Sequence, residues 1–371
     1  MIVGLFPELD APGGIQLAGR HIAAVMNAFA RERSLHYDFL SLNDPPGAHT
    51  LTVAGETIAF RGFGRSKLKF AAAAMRTTSR GAQMVLAAHP NFAPLAQAMK
   101  VIRPRLRSII CIHGVEVWEP LATLRRWSLR RANLILAPSR DTIERAARAQ
   151  NLSTKKIRRL PWGLDPQFAA RAAGSRAQPA IPAGYPGGRV ILSVGRWNSG
   201  ERYKGMDHLI AALPRLLIDF PELHLVAVGD GDDREWLENL AEGNGVARHV
   251  HFLSGLSQDE LAAWYSACEV FALPSRGEGF GLVYLEAMAY GKPVIAGAQG
   301  GAPEIVEDGV TGYVVPHGDL PQLATALAAL LGDAELRQKM GVRGQARVQR
   351  EFLFAQFSKS LKKLLREQCE F

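Results

Sequence analysis

A glycine-rich loop that precedes a helix is the segment of this sequence best suited to binding an anion. Between Ala272 and Val306 an apolar run ends in SRGEGFG, and a helical pattern begins near Gly281. The first N–H groups of a helix have no partner within it, and glycines let an anion approach them closely. Phe280, Gly281 and Leu282 are therefore candidate phosphate-binding residues. A capped structural helix would carry the same glycines, so the loop alone leaves both interpretations open.

Two glutamates, Glu278 and Glu286, flank this loop eight positions apart. Along a helix that spacing is about 12 Å, beyond the roughly 5 to 9.5 Å at which a pair of glycosidase carboxylates cooperates. A hydrolytic acid–base pair is therefore disfavoured. The two carboxylates are better suited to accept hydrogen bonds from different hydroxyl groups of one extended ligand, such as a nucleotide sugar. The alternative is a pair of solvated glutamates that the helix dipole favours.

Two cations flank the insert WNSGERY, which follows the apolar run RVILSV. There the guanidinium of Arg196 and the ammonium of Lys204 could converge on a diphosphate. Either cation alone would be interpreted as a surface residue. The glycine-rich loop in the same half of the chain is a second candidate anion site, which favours a role for both cations in binding a diphosphate. Arg202 is a third cation in this loop, so the sequence leaves open which of the three contact the ligand.

Two further candidates lie in the first half of the chain. His113 ends the apolar run SIICIH, and open α/β sheets bind ligands beyond the carboxyl ends of their strands. Gly13 and Gly14 follow the first apolar run and predict a tight turn from a strand into a helix. On position alone, His113 could equally be a histidine that is satisfied by local hydrogen bonds. The two glycines could equally form an ordinary turn without a role in binding.

Six segments of the chain resemble retaining glycosyltransferase family 4, in the order in which that family has them. The E-x7-E pattern within EGFGLVYLEAMAYGKPVIA is similar to the family signature, SVGRWNSGERYKG to its GR…KG loop, and VAVGDGDDREWLENLA to its GDG segment. The glycine pair at 13–14, IHG at 112–114 and PWGLD at 161–165 match weaker landmarks. Together these segments span nearly the whole chain, which makes a chance match implausible.

The resemblance implies a GT-B fold, in which two facing Rossmann-like domains enclose an active-site cleft and the second domain binds a nucleotide sugar. It implies the catalytic residues His113, Glu278, Arg196 and Lys204, and the donor-binding residues Gly13, Gly14, Arg196, Lys204, Glu278, Phe280, Gly281, Leu282 and Glu286. The family's mechanism is front-face transfer with retention, in which the leaving diphosphate helps to deprotonate the acceptor. No protein nucleophile and no cofactor are then required.

The roles differ among these residues. In the family, the residues that match Arg196 and Lys204 bind the donor diphosphate, and the carboxylate that matches Glu286 contacts the ribose. The matching histidine, here His113, lies near the transferred sugar, and we expect Glu278 to act on that sugar rather than on the nucleotide.

Asp230 and Asp232 form a D-x-D motif, which in the other large glycosyltransferase fold holds a divalent cation on the diphosphate. In this chain the motif lies in the GDG segment of a GT-B pattern, where Arg196, Lys204 and the helix amides already supply positive charge. We therefore expect no metal at the site. The sequence also lacks an H-E-x-x-H motif and paired C-x-x-C motifs.

Short apolar runs alternate with amphipathic stretches, which predicts strand–helix units and a parallel sheet in each half. The predicted strands are MIVGLF, MVLAAH, SIICIH, LILAPS, RVILSVG, LHLVAVG, VHFLSG, VFALPS and PVIAG. A segment rich in Ala, Pro and Gly predicts a linker at 173–188, between domains at 1–172 and 189–352. The final segment, 353–371, has apolar residues at helical spacing, and the resemblance implies that this helix returns to the first domain.

Length and composition indicate a soluble globular protein of two domains. The chain has 371 residues, of which 47% are hydrophobic and 21% charged, which excludes a disordered or fibrous protein. Its three cysteines are too few for a disulfide framework and fit a reducing compartment. The N-terminus lacks the features of a secretory signal, and no run of eighteen residues is apolar throughout. We therefore expect a cytoplasmic protein, peripheral at most to the inner face of a membrane.

The charge is unevenly distributed along the chain. The net charge is +9, but residues 1–180 hold 26 basic and 11 acidic side chains, whereas residues 181–371 hold 18 and 24. Basic clusters at 61–70 and 124–131 include Phe and Trp, a combination that suits an anionic membrane or a pyrophosphate-linked lipid. Each cluster alone would be interpreted as a solvated helix face. The charge would also suit nucleic acid, but no recognisable nucleic-acid module accompanies it.

The sequence therefore predicts a metal-independent, retaining hexosyltransferase that moves a sugar from a UDP- or GDP-sugar to a glycan or lipid-linked acceptor, in polysaccharide or glycolipid assembly. One alternative is a GT-B relative that hydrolyses or epimerises a nucleotide sugar. Another is a noncatalytic protein that binds nucleic acid or membranes. An NAD-dependent oxidoreductase is disfavoured because no complete G-x-G-x-x-G follows a predicted strand. The base, the sugar, the acceptor and the oligomeric state stay open.

Overall fold

The computed structural model describes residues 1–174 and 181–369, which form two compact units. The first unit comprises Met1–Asp165 and the C-terminal segment from Phe354, and the second comprises Pro166–Leu353. The division thus falls at residue 165 rather than at the expected 172, because the helix that begins at Pro166 packs against helices of the second unit. Of the predicted linker, residues 175–180 lie outside the described residues.

An eight-stranded sheet forms the centre of the first unit, with the order β3-β4-β2-β1-β5-β6-β7-β8. Its strands are β1 (Ile2–Phe6), β2 (Tyr37–Ser41), β3 (Gly47–Val53), β4 (Glu56–Gly62), β5 (Met84–Ala87), β6 (Arg107–Cys111), β7 (Leu134–Ala137) and β8 (Ile157–Arg159). Neighbouring strands pair in parallel except β3 with β4. The predicted strands β1, β5 and β7 are buried along their whole length, as expected of parallel strands covered on both faces.

The antiparallel pair of β3 and β4 at the edge of this sheet is absent from the prediction. A two-residue turn joins the strands, and both of its residues, Ala54 and Gly55, have positive φ, at 52° and 81°. Such turns match the twist of a hairpin. Side chains along β4 alternate between buried and exposed, so this strand lacks the continuous apolar run that marks the central strands.

The second unit is built on a six-stranded sheet in the order β11-β10-β9-β12-β13-β14, with every neighbouring pair parallel. Its strands are β9 (Arg189–Val194), β10 (Leu223–Val228), β11 (Val250–Leu253), β12 (Val270–Leu273), β13 (Val294–Gly297) and β14 (Gly312–Val315). Counted from β9, the order is 3-2-1-4-5-6, which is the Rossmann arrangement. The prediction of two Rossmann-like α/β domains is confirmed.

Helices connect the strands of each unit. The first unit contains α1 (Gly14–Glu32), α2 (Lys67–Ser79), α3 (Ala93–Ile102), α4 (Thr123–Arg130) and α5 (Arg140–Gln150). The second contains α6 (Pro166–Gly174), α7 (Met206–Asp219), α8 (Arg234–Gly243), α9 (Gln258–Ala267), α10 (Leu282–Ala289), α11 (Leu320–Gly332) and α12 (Ala334–Glu351). Among the described residues, none of the helices has the length and apolar character needed to cross a bilayer.

The C-terminal helix α13 (Phe354–Cys369) completes the first unit by packing against α1. It buries Phe357, Leu361 and Leu365, which recur at helical spacing. Gly163, which follows β8, lies against the start of this helix, and a Cβ on Gly163 would be 2.9 Å from the Cα of Phe354. Only glycine fits at that crossing without a shift of the helix.

Candidate functional site

In the second unit, the strand order reverses between β9 and β12, and the two candidate anion-binding loops follow these two strands. Parallel strands that end at one sheet edge bring their loops together, and α/β sheets bind ligands where the order reverses. The loops are in direct contact, since the Arg276 N–H donates to the Tyr203 carbonyl at 2.9 Å. A Cβ on Gly277 would lie 2.5 Å from the Tyr203 ring. The structure therefore joins the two loops into one site.

Arg196 and Lys204 converge on one carboxylate within their own loop. The Arg196 Nη2 lies 2.6 Å from Oε1 of Glu201, and the Lys204 Nζ lies 3.2 Å from its Oε2. The Arg196 side chain is 70% exposed, whereas that of Lys204 is only 12% exposed. The two cations thus converge on a carboxylate that was not among the candidate residues, and their contact with a diphosphate stays a prediction.

Arg202, which the sequence left undecided, belongs to a different ion pair. Its guanidinium donates to both oxygens of Asp233, at 2.8 and 2.7 Å, and lies 3.7 Å from the centre of the Trp236 ring. The hydrogen bond to Asp233 raises the pKa of Arg202. A guanidinium held by a bidentate carboxylate and an aromatic face stabilises the loop, and whether Arg202 also contacts the ligand stays open.

The carboxylates of the D-x-D motif are engaged in local hydrogen bonds. Asp232 accepts from the Ser199 N–H at 2.7 Å and from the Ser199 hydroxyl at 3.1 Å, and these bonds lower its pKa. Asp230 accepts from the Gly231 N–H at 2.9 Å. Within the part of the chain that the structure describes, no group of three or more His, Cys, Asp or Glu side chains is arranged to hold a metal ion. Asp232 thus anchors the loop that carries Arg196.

Glu278 is half-buried on the loop after β12, within the electrostatic field of the two cations. Burial raises its pKa, the charge of Lys204 lowers it, and Glu201 and Arg196 make smaller contributions of opposite sign. The Glu278 carbonyl accepts from the Gly301 N–H at 2.7 Å, and a Cβ on Gly300 would lie 2.4 Å from that carbonyl oxygen. The glycine pair after β13 therefore allows the backbone to support this glutamate.

Helix α10 begins at this loop without a capping side chain. Gly281 is its N-cap with a φ of +100°, and the first turn contains no acidic residue. The amides of the first turn are consequently not occupied by a side chain, unlike those of a capped structural helix. The Phe280 ring is buried and packs near Phe352, with ring centroids 6.1 Å apart, so Phe280 offers its backbone rather than its side chain. Leu282 begins the helix and is half-buried.

Glu286 lies further along α10 and is held by a buried phenol. The Tyr265 hydroxyl donates to its Oε2 at 2.7 Å. The Tyr265 side chain is fully buried, with its ring stacked near Tyr290 and Phe271 at centroid distances of 5.8 Å each. Burial raises the pKa of Tyr265, and the nearby Glu286 raises it further. Glu286 is therefore not a freely solvated helix residue. Tyr265 was not among the candidate residues, because nothing in the sequence links it to Glu286, 21 positions away.

In the first unit, His113 lies directly beyond the carboxyl end of β6. Its Nε2 is 2.7 Å from the Ala88 carbonyl, which only accepts, so Nε2 carries a proton. The ring lies near those of Trp162 and His89, at centroid distances of 5.4 and 6.0 Å. His113 therefore has one locally satisfied nitrogen.

The turn with Gly13 and Gly14 joins β1 to α1 and is held by buried and partly buried polar contacts. Gly13 is the N-cap of α1 with a φ of +132°, and the helix begins at Gly14 with neither a capping side chain nor an acid in its first turn. The Arg20 guanidinium donates to the Leu9 and Ala11 carbonyls at 3.0 and 2.8 Å, and Asp44 accepts from the Leu9 N–H at 2.8 Å. These supports were not predicted, since they join residues up to 35 positions apart.

A cavity of about 530 Å³ in the first unit combines apolar and cationic side chains. Its lining includes Phe70, Phe92 and Leu95 together with Lys67 and Arg125. His89 also lines it, and burial, with a contribution from His113, lowers the pKa of His89 to about 4. At neutral pH this histidine is uncharged. The cavity is thus suited to a molecule with both an apolar part and a negative charge.

Models of two glycosyltransferase families match the chain. The model described as Glycosyltransferase Family 4 matches residues 18–168, and that described as Glycosyl transferases group 1 matches residues 176–347. A GDP-mannose-dependent alpha-(1-6)-phosphatidylinositol monomannoside mannosyltransferase of Mycolicibacterium smegmatis is 38% identical, over 64% of this chain and 64% of the relative. The protein of the same name from Mycobacterium tuberculosis H37Rv is 34% identical, over 68% of this chain and 75% of the relative.

Solved glycosyltransferase structures share the fold along the whole chain. Sucrose-phosphate synthase from Thermosynechococcus elongatus superimposes with a TM-score of 0.78 at 23% identity, covering 99% of this chain and 98% of that one. Anabaena HepE in complex with UDP superimposes with a TM-score of 0.76 at 19% identity, covering 99% of both chains.

Replacing Tyr265 by Phe tests whether the buried phenol positions Glu286. The change removes a hydrogen bond to a charged acceptor, which contributes about 1.5 to 3 kcal/mol. We expect weaker binding of nucleoside diphosphate in isothermal titration calorimetry, since Glu286 loses the donor that orients it. Tyr284→Phe is the control, because Tyr284 is equally buried but donates to the Leu273 carbonyl at 2.8 Å. Equal affinities in the two variants would contradict a positioning role.

Proposed function

The chain belongs to glycosyltransferase family 4 and has the GT-B fold, and on that premise we propose that it is a retaining mannosyltransferase that uses GDP-mannose and a lipid-linked acceptor in glycolipid assembly. The observation that supports this proposal best is the convergence of Arg196 and Lys204, whose charges act on Glu278 in the loop that leads to the uncapped helix α10. The names of the mycobacterial relatives favour GDP-mannose over the UDP-sugars that the sequence left open.

The proposed chemistry follows from where charge develops during transfer. The bond between the anomeric carbon and the diphosphate oxygen breaks, and its electron pair leaves with the diphosphate. Arg196, Lys204 and the amides at Gly281 and Leu282 stabilise that growing negative charge. The acceptor oxygen bonds to the anomeric carbon on the same face, and its proton passes to the departing diphosphate oxygen. Under this proposal, His113 acts on the transferred sugar, and its Nε2 donates to the Ala88 carbonyl.

The proposal of a lipid-linked acceptor is supported by a cavity and a surface of the first unit. Its cavity provides an apolar surface beside Lys67 and Arg125, as a lipid with a charged head group requires. Helices α2 and α4 both pack against α3, and both expose large apolar side chains among cations. Leu68 is 86% exposed and Trp127 is 42% exposed. Cations interspersed with exposed apolar residues are typical of surfaces that bind anionic membranes.

A direct test compares nucleotide sugars with and without acceptor lipid. The purified protein would be incubated with GDP-mannose, GDP-glucose, UDP-glucose and UDP-N-acetylglucosamine, in the presence and absence of phosphatidylinositol vesicles. We expect GDP-mannose to be consumed fastest with the lipid, and the product to carry an α-linked sugar by NMR. Consumption at the same rate without lipid would support the hydrolase alternative instead. Inversion at the anomeric carbon would rule out the retaining mechanism.

The diphosphate assignment predicts the effect of removing each cation. Arg196→Ala and Lys204→Ala each remove charge-assisted hydrogen bonds that contribute about 1.5 to 3 kcal/mol, so GDP should bind at least about tenfold more weakly. Arg215→Ala is the matched control, because Arg215 forms an exposed ion pair with Asp219 on α7 of the same unit. Wild-type affinity for GDP in both site variants, measured by calorimetry, would refute the assignment.

The same cations should make a divalent ion unnecessary. We expect full activity after dialysis against EDTA, because the positive charge at the diphosphate comes from side chains and amides. Asp232→Asn should weaken the anchor at Ser199 without creating any response to added Mg²⁺ or Mn²⁺. A strict requirement for either ion in the wild-type protein, lost in Asp232→Asn, would assign the D-x-D motif to metal binding.

Membrane binding predicts a dependence on both lipid charge and salt. Cations near an anionic surface contribute about 1 kcal/mol each and are screened beyond about a Debye length. We expect recovery with sedimented vesicles to rise with anionic lipid, to fall with salt, and to drop when Lys67 and Lys69 are both changed to Glu. A control with the same change in charge replaces Lys339 and Arg343, which are exposed on α12. Equal recovery on neutral and anionic vesicles would leave a soluble acceptor as the better proposal.

A further inference from the structure

The carboxylate of Glu201 lies between the two cations that are proposed to bind the diphosphate. Oε1 of Glu201 accepts a hydrogen bond from Arg196 at 2.6 Å, and Oε2 lies 3.2 Å from the Lys204 ammonium in an ion pair without hydrogen-bond geometry. The Glu201 side chain is 18% exposed and that of Lys204 is 12% exposed, so this pair is partly shielded from water, whereas Arg196 is 70% exposed. Ion pairs of this kind are stronger than those on an open surface.

The charges at the site do not favour a second anion while Glu201 stays in place. Arg196 and Lys204 contribute two positive charges, and Glu201 with the neighbouring Glu278 can contribute two negative ones. A diphosphate that arrives with Glu201 bound would meet little net attraction and would lie close to a like charge. Binding of the donor therefore requires that the carboxylate and the two cations separate.

The loop is built so that such a separation involves few other contacts. The residues on either side of Glu201 are anchored, Ser199 by Asp232 and Arg202 by Asp233. Glu201 itself departs from helical geometry, with φ of −119° and ψ of 21°. Arg196 is largely exposed and can reorient at low cost, whereas Lys204 is nearly buried. A rotation of two side chains would exchange the carboxylate for a phosphate oxygen while the loop stays anchored.

We propose that Glu201 is an internal competitor of the donor diphosphate, which releases Arg196 and Lys204 when the nucleotide sugar binds and pairs with them again when the nucleoside diphosphate leaves. The inference rests on the proposed role of these two cations. It gives the site a means of product release, since the cations that stabilise the leaving group would otherwise hold the product tightly. A carboxylate that replaces the phosphate lowers the free energy of the emptied site.

The test measures binding of GDP and of inorganic pyrophosphate to Glu201→Gln, which keeps the shape of the side chain but removes its charge. We expect both ligands to bind about threefold to tenfold more tightly than to the wild type, as removal of a partly shielded ion pair predicts. Product inhibition by GDP should strengthen by the same factor. Glu238→Gln is the control, because Glu238 pairs with Arg234 on α8, and wild-type affinity is expected there.

A second variant guards against a change in the loop itself. Glu201→Asp shortens the side chain by one methylene, so one carboxylate can no longer reach both cations, and an intermediate affinity is expected. Unchanged or weaker binding of GDP to Glu201→Gln would overturn the inference and assign Glu201 to holding the cations in position. That outcome is distinct from a failure of the proposed function, in which Arg196→Ala and Lys204→Ala bind GDP as the wild type does.

Discussion

The hydrogen bond from the Arg276 N–H to the Tyr203 carbonyl joins the loops that leave β9 and β12, and the candidate donor site depends on that junction. The two strands are neighbours at the point where the strand order reverses. Gly277 lets the loop after β12 pass against the Tyr203 ring, and a Cβ at that position would lie 2.5 Å from it. The junction places Glu278 in the field of Lys204. Without it, the loop that carries the two cations and the loop that carries the glutamate would not be held together.

The sequence was sufficient for the parts of the fold that repeat a simple pattern. Buried parallel strands are continuous apolar runs, so β1, β5, β6 and β7 of the first sheet and β9 to β13 of the second were predictable, whereas β2, β8 and β14 were not. The candidate site residues of the second unit could be located just beyond two of the predicted strands. The pairing of Arg202 with Asp233 was not predictable, because the two residues are 31 positions apart and only the folded loop brings them together. The same applies to the contact between Tyr265 and Glu286. The contact of Glu201 with Arg196 and Lys204 was not predictable, because a single carboxylate between two cations produces no periodic pattern in the sequence.

Local geometry outweighs net charge in the second half of the chain. That half holds 18 basic and 24 acidic side chains, yet it contains the loops suited to a diphosphate. Exposed charges farther away than a Debye length, about 8 Å at physiological ionic strength, are largely screened. Lys204 is mostly buried and its charge acts on Glu278, in the loop that precedes α10, so this charge is screened less. The excess of acidic over basic side chains in this half of the chain is thus compatible with an anion site.

The starts of the helices next to the candidate residues follow one rule. Gly13, Gly205 and Gly281 are the N-caps of α1, α7 and α10, and all three have positive φ. Helices α5, α9, α11 and α12 are instead capped by the side chains of Ser139, Ser257, Asp319 and Asp333. A serine or aspartate cap would occupy the first amides, and aspartate would add a negative charge. Glycine in its place costs only a few tenths of a kcal/mol, so the amides stay available to an anion with little loss of helix stability.

Of the three helices, α7 has Asp207 in its first turn, whereas α1 and α10 have no acid there, which makes the latter two the better anion sites.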